Sequence, residues 1–91
     1  MKYYLAEKCI EDSSIVEKRS IVCVDEPRIF FIKGQTDDVF ELDEERNLFC
    51  KTDDKYQINE LTEKRSNKLL DNPSLRWGNL NEGRRILNYR K

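Results

Sequence analysis

Apolar side chains recur at every second position in several short segments of the chain, and this alternation predicts β-strands that each bury one face. The apolar residues at the alternate positions of four successive segments are Phe30, Ile32, Phe40, Leu42, Leu48, Cys50, Tyr56 and Ile58. We expect these side chains to form one continuous apolar face across four strands.

The same region contains an internal repeat. Residues 28–44 align with residues 46–60 once Gly34 and Gln35 are left out, and 7 of the 15 aligned pairs are identical. Each unit consists of an aromatic-rich segment, a turn with two adjacent Asp residues and an alternating segment. The repeat therefore predicts a β-hairpin that occurs twice.

Segments on both sides of the repeat complete the predicted fold. Residues 2–10 and 19–24 predict two further strands, residues 61–70 favour a short helix, and residues 84–91 favour a final strand. The predicted fold is mainly β (a β-rich α+β fold). It is an antiparallel meander of five to six short strands, open or curled into a small barrel, followed by a short C-terminal helix and a returning basic segment.

Charge divides the chain between residues 63 and 64. Residues 1–63 hold 16 acidic and 9 basic side chains, a net charge of −7, whereas residues 64–91 hold 8 basic and 2 acidic ones, a net charge of +6. A length of 91 residues fits one domain, residues 1–91, in which the basic helix and tail pack on the acidic meander. The opposite charges indicate either a charged partner or two segments that neutralise each other.

The composition disfavours several kinds of chemistry. The chain has no His, which excludes a Ser-His or Cys-His nucleophile within one chain and removes a common zinc ligand. Its glycines, Gly34, Gly78 and Gly83, are too far apart for a phosphate-binding loop. Three cysteines without CxxC spacing favour buried thiols over a disulfide framework. We therefore expect no enzymatic activity, no metal and no cofactor.

The apolar segments are too short for membrane insertion. The longest unbroken apolar run, residues 29–32, is far below the ~20 residues of a spanning helix. Charged residues interrupt the N-terminus before a signal-peptide apolar stretch could form. We expect a cytoplasmic protein that does not bind membranes.

The acidic and aromatic side chains of the first 63 residues are the candidate partner-binding residues. The acids are Asp37, Asp38, Glu41, Asp43, Asp53 and Asp54, and the candidate aromatic contacts are Phe31 and Phe49. The alternative for both Asp pairs is turn formation, and the alternative for both Phe rings is burial under the C-terminal segment. We expect a protein-binding module that modulates or inhibits a partner, such as a basic protein that handles nucleic acid. Small inhibitors and regulators carried by phages or mobile elements have this size and charge.

The basic C-terminal third offers an alternative function, nucleic-acid binding. Cations and aromatic residues are interleaved there, as in proteins that bind RNA or single strands. The candidate contacts are Lys64, Arg65, Lys68, Arg76, Trp77, Arg84, Arg85 and Arg90. Trp77 is also a candidate anchor that buries the tail against the sheet. Two copies could pair as a homodimer through an edge strand, at residues 2–10 or at the final strand.

Overall fold

Six β-strands and one short helix form the regular structure in a computed structural model that describes residues 1–34, 37–75 and 77. The strands are β1 (Lys2–Cys9), β2 (Val16–Asp25), β3 (Arg28–Lys33), β4 (Phe40–Leu42), β5 (Leu48–Cys50) and β6 (Gln57–Leu61), and the helix is α1 (Glu63–Leu70). All strand pairings are antiparallel. The predicted mainly β fold with a short C-terminal helix is confirmed, and the described strands form no closed barrel. The predicted final strand lies outside the described residues.

The larger of the two sheets formed by the described strands has the order β3-β2-β1-β6, and β4 and β5 form a separate two-stranded sheet. β1, β2 and β3 follow one another as a meander. β6 then returns to the other side of β1, where Ile58 lies opposite Ala6. Because β6 occupies that side, β1 is an interior strand and the expected dimer edge at residues 2–10 is wrong. The described edges of this sheet are β3 and β6.

The two repeat units do not form two hairpins, so this prediction is wrong. β3 pairs with β2, β4 pairs with β5, and β6 pairs with β1. β2 is ten residues long and buries five consecutive residues, which gives β3 a longer apolar partner than the three-residue β4 could offer. A tight turn then joins β4 to β5 across the boundary between the two units.

One face of the larger sheet carries the main apolar core. The buried residues of this core are Tyr4, Ala6, Val22, Val24, Phe40 and Leu48. The first four lie on β1 and β2, whereas the last two belong to the β4–β5 sheet, which covers the larger sheet as a second layer. Full burial of a large apolar side chain stabilises the fold by roughly 1.5–3 kcal/mol, so this layer contributes substantially to stability.

The orientation of β3 differs from the expected one. Phe30 and Ile32 are exposed, and it is Ile29 and Phe31 that pack against the core. Residues 29–32 are all apolar, so alternation along β3 alone does not decide which side faces inward. Pairing with β2 decides it, because Phe31 lies opposite Val22 of the main core, whereas Phe30 lies opposite Cys23 on the other face.

The opposite face of the larger sheet packs against α1. Ile21 and Cys23 of β2 and Leu61 of β6 are buried, and the register places Leu61 and Cys23 on either side of Tyr3. α1 begins after Thr62, whose Oγ1 accepts a hydrogen bond of 3.1 Å from the backbone N–H of Arg65. This is the usual N-cap arrangement, and it fixes the direction in which the helix leaves β6.

Trp77 is fully buried and lies near the end of α1. Lys33 Nζ is 5.2 Å from the centre of its ring and 3.4 Å from the carbonyl oxygen of Leu70. These contacts join β3, the end of the helix and Trp77. They support the anchor interpretation of Trp77, and burial leaves its ring unavailable for stacking on a base.

Candidate partner-binding groove

The turn between β4 and β5 is built by Asp43. Its Oδ1 accepts hydrogen bonds of 2.9 Å from the backbone N–H groups of Glu45 and Asn47. Arg46 adopts a positive φ of 67° within this turn. Asp43 therefore fixes the turn geometry, which is the expected behaviour of an Asx turn.

Three aromatic rings connect the two layers. The ring centroids of Phe31 and Phe40 lie 5.6 Å apart, and those of Phe40 and Tyr56 lie 5.1 Å apart, both in edge-to-face geometry. Such pairs contribute about 0.5–1.5 kcal/mol beyond the burial of their surface. Phe31 is thus a core contact between the sheets, and it shares no face with the exposed Phe49.

An ion-pair network fastens the ends of the second layer to the first. We define it by four residues, Lys8, Lys18, Asp38 and Asp53. Lys8 of β1 lies directly opposite Lys18 of β2. Lys8 Nζ is 2.6 Å from an oxygen of Asp53, and Lys18 Nζ is 3.1 Å from an oxygen of Asp38. Each cation thus holds one carboxylate from the second layer, which offsets the repulsion between two adjacent lysines.

Further hydrogen bonds tie Asp38 into the second layer. Its Oδ2 accepts a hydrogen bond of 2.8 Å from the hydroxyl of Tyr56, and its Oδ1 accepts one of 2.9 Å from Thr52. The Thr52 hydroxyl in turn accepts the backbone N–H of Val39 at 3.0 Å. Asp38 therefore joins the segment before β4 to the segment after β5.

The pKa of Asp53 is lowered by this arrangement. The hydrogen bond from Lys8 is the main cause, and the backbone N–H of Lys55, 2.9 Å away, adds to it. The same hydrogen bond raises the pKa of Lys8. Both side chains are only about a fifth exposed (21 % for Lys8 and 17 % for Asp53), and the hydrogen bond between them favours the charged form of each.

A groove of about 370 Å³ opens beside the network, between β5 and β6. Its lining residues are Leu48, Phe49, Cys50, Asp53, Asp54, Tyr56 and Ile58. Five of the lining residues are apolar, aromatic or cysteine, and the other two are adjacent acidic residues. Asp53 already binds Lys8, whereas Asp54 is exposed and makes no ion pair with a described residue. Asp54 is therefore the carboxylate of the groove that an incoming cation can bind.

The outer surface of the β4–β5 sheet continues the groove. Val39 and Phe49 are 45 % and 38 % exposed, which is high for large apolar side chains. Glu41 lies opposite Phe49 and forms an exposed ion pair of 3.3 Å with Lys51. The exposed Phe49 ring thus lies between charged side chains, an arrangement typical of an apolar anchor point in a protein interface.

The structure separates the predicted acidic residues into four groups. Asp38 and Asp53 bind lysines of the larger sheet, and Asp43 holds the β4–β5 turn. Glu41 is paired with Lys51 on the outer surface. Asp37 and Asp54 are exposed, and only Asp54 lines the groove together with the predicted aromatic contact Phe49.

The basic candidates are only partly described. Lys64, Arg65 and Lys68 are exposed on α1, and none of them forms an ion pair with a described residue. Arg76, Arg84, Arg85 and Arg90 lie outside the described residues.

Sequence reasoning missed three residues of this region, Lys8, Lys18 and Tyr56. The alternation of side chains along β1 indicates that Lys8 needs a partner. Lys8 lies on the same side of β1 as Tyr4 and Ala6, which are buried, so its ammonium group requires a carboxylate from the covering layer. The pairing of Lys8 with Lys18 across a hairpin makes two such carboxylates necessary.

Within the described ranges, no group of three or more His, Cys, Asp and Glu side chains could hold a metal ion. The cysteines at positions 9, 23 and 50 are free, and burial raises the pKa of the Cys23 thiol. The described helix is not long and apolar enough to cross a membrane. Comparisons of the chain with protein-family models, with curated proteins and with solved structures found no match.

Proposed function

We propose that this protein is a small, non-enzymatic module that binds a basic segment of another protein and thereby modulates or inhibits it. One observation carries the proposal: the exposed ring of Phe49 and the carboxylate of Asp54 line the same groove. The ring offers an apolar anchor, and the carboxylate offers a partner for Lys or Arg. A segment with an apolar side chain next to a cation fits both features.

The charge of the surrounding surface supports this choice of partner. Residues 1–63 carry a net charge of −7, and Asp37, Glu44 and Glu45 are exposed on the second layer. Such a surface attracts a basic partner from a distance and repels an acidic one, and salt weakens the attraction. Affinity for the partner should therefore fall as the ionic strength rises.

The proposal is tested with synthetic peptides and isothermal titration calorimetry. The test peptide alternates Lys and Trp, one control replaces Lys by Glu, and a second replaces Trp by Ser. We expect binding of the first peptide in the micromolar range, at least tenfold weaker binding of both controls, and amide chemical-shift changes confined to the groove.

Matched variants identify the surface that binds. Phe49→Ala and Asp54→Asn should each weaken binding about tenfold, because each removes one of the two features that define the groove. Ile15→Ala and Glu11→Gln remove an exposed apolar and an exposed acidic side chain from the β1–β2 turn, and neither should change the affinity. Equal affinity for all three peptides, or unchanged affinity in both Phe49→Ala and Asp54→Asn, would contradict the proposal.

Nucleic-acid binding is the second candidate, and the exposed cations of α1 favour it. Lys64 and Lys68 are four residues apart, so their side chains lie on one side of the helix. Fluorescence anisotropy with labelled RNA and DNA, measured while the salt concentration is stepped, tests this function. Binding that falls steeply with salt and is lost in the double variant Lys64→Ala/Lys68→Ala would favour nucleic acid over a basic protein as the partner.

A further inference from the structure

The outer edge of β3 combines exposed apolar side chains with a backbone that no other described strand pairs. Of the described strands, only β2 pairs with β3. Phe30 and Ile32 of β3 are 42 % and 38 % exposed. An exposed apolar edge strand is a template for pairing with another strand, and proteins usually protect such edges.

The usual protection of an edge is weak at β3. Arg28 and Lys33 are its terminal residues, and cations at these positions would normally repel an incoming strand. Lys33 is held by its own chain, whereas Arg28 is 76 % exposed and makes one surface ion pair. Arg28 Nη2 lies 3.4 Å from an oxygen of Asp25, and Lys33 Nζ turns toward the carbonyl oxygen of Leu70 and the ring of Trp77.

We propose that β3 pairs with β3 of a second copy of this chain in an antiparallel, two-fold symmetric dimer centred on Phe30. The sequence of the strand is complementary to itself in this register. Phe30 lies opposite Phe30 of the other copy, Ile29 lies opposite Phe31, and Arg28 lies opposite Ile32. No two cations face each other, and the pairs of Phe30 with Phe30 and of Ile29 with Phe31 join aromatic and β-branched side chains, which stabilise antiparallel sheets.

The register also respects both faces of the sheet. A two-fold axis perpendicular to the sheet keeps each face on its own side, so the exposed Phe30 rings meet outside the core and Ile29 and Phe31 extend the core across the dimer. The pairing uses residues 28–32 and ends at Ile32, the β3 residue at which the register with β2 shifts. The result is a continuous sheet of eight strands, four from each copy.

The other described edge does not have these properties. Along β6, Gln57, Asn59 and Glu60 are exposed, and all three are polar or charged. A second copy would therefore gain little apolar contact there. This contrast identifies β3 as the edge that associates.

A dimer that rests on one strand pair buries little surface, so we expect reversible association. Interfaces below about 1,200 Å² belong to weak or transient complexes. Sedimentation of the full chain across about 1 µM to 1 mM should show a mass that rises from 10.9 kDa toward twice that value. A single species of 10.9 kDa over the whole range would overturn the proposal.

Charge variants at the two-fold axis test the register. Phe30→Glu and Phe30→Lys each place two like charges opposite each other, so each variant alone should remain monomeric. An equimolar mixture should form a heterodimer with one Glu opposite one Lys. Dimerisation that persists in either variant, or that is not restored in the mixture, overturns the pairing about Phe30.

Phe49→Glu is the matched control for these variants. Phe49 is nearly as exposed as Phe30, but it lies on the β4–β5 sheet, so the control should dimerise like the unmodified chain. Because Phe30 is exposed, its substitution should not prevent folding, and circular dichroism of each variant checks this. The dimer edge is distinct from the groove beside Phe49, so the failure of either proposal leaves the other standing.

Discussion

Lys8 Nζ lies 2.6 Å from Asp53 Oδ2, and this ion pair joins an interior strand of the larger sheet to the turn that follows β5. Lys18 and Asp38 form a second such link one strand away. β4 and β5 have only three residues each, which is too short for a two-stranded sheet to be stable alone. The second layer therefore depends on its core contacts and on these two ion pairs.

Asp53→Asn should destabilise the protein by about 1–2 kcal/mol at neutral pH. The substitution removes a charge-assisted hydrogen bond and leaves the Lys8 ammonium group partly buried without its carboxylate. Urea denaturation followed by tryptophan fluorescence measures the change. Asp54→Asn is the matched control, because the neighbouring carboxylate is exposed and unpaired among the described residues. Equal stability of the two variants would show that the ion pair contributes nothing.

The same ion pair should give stability a defined dependence on pH. The fold lowers the pKa of Asp53, so its stabilising contribution is present above the unfolded pKa of about 3.9 and is lost as the pH falls through the lower folded pKa. The fold raises the pKa of Lys8, so that contribution is present below about 10.4 and is lost as the pH rises through the higher folded pKa.

Urea midpoints from pH 7 down to about pH 2 test the acidic side of this dependence. The difference in stability between the unmodified chain and Asp53→Asn should shrink toward zero as the pH falls. The profile of Asp54→Asn should run parallel to that of the unmodified chain. A difference that stays constant down to the lowest pH would contradict the assigned role of the Asp53 carboxylate.

Local sequence signals predicted the single elements well and their pairing less well. Residues 2–10 and 19–24 predict strands and residues 61–70 predict a short helix from their own local patterns, and β1, β2 and α1 form at these segments. The pairing of β3 depends on the length of β2, which lies earlier in the chain. The side of β3 that faces the core depends in turn on this pairing. The similarity between residues 28–44 and 46–60 carries no information about either choice.

The candidate groove could be predicted only in part for the same reason. Phe49 and the Asp53-Asp54 pair were recognisable as aromatic and acidic candidates. Their union in one groove depends on β6 returning to β1, which places Tyr56 and Ile58 beside β5. Asp53 is paired and Asp54 is not, because Lys8, which is 45 residues before Asp53 in the chain, binds Asp53.

Phe40→Ala should be the most destabilising single change in the second layer, by about 3–5 kcal/mol. Phe40 is 7 % exposed and contacts Phe31 and Tyr56 edge-to-face, so truncation leaves a cavity between the layers. Phe49→Ala removes the same number of atoms from an exposed site and should cost under about 1 kcal/mol. If Phe40→Ala does not fold, Phe40→Leu should still unfold at a lower urea concentration than Phe49→Ala.

Thr62→Ala should destabilise the protein by about 1 kcal/mol because it removes the N-cap hydrogen bond of α1. Thr62→Ser keeps a hydroxyl at this position and should retain most of the stability. Hydrogen exchange adds a local measurement, since loss of the cap should speed exchange in the first turn of α1 more than in β1. Equal exchange in the alanine and serine variants would contradict the role of the cap.

Gly34→Ala should destabilise the protein by at least about 1–2 kcal/mol, although it adds only one methyl group. Gly34 has a φ of +77°, and a Cβ at this position would clash with the backbone oxygen of Arg19. The Ser20 hydroxyl also donates a hydrogen bond to the Gly34 carbonyl, so the backbone cannot move away without breaking a buried contact. Asp37→Ala, at an exposed position three residues further on, is the control and should change stability by less than about 0.5 kcal/mol. A Gly34→Ala variant as stable as this control would show that the close approach of β3 to β2 tolerates a side chain.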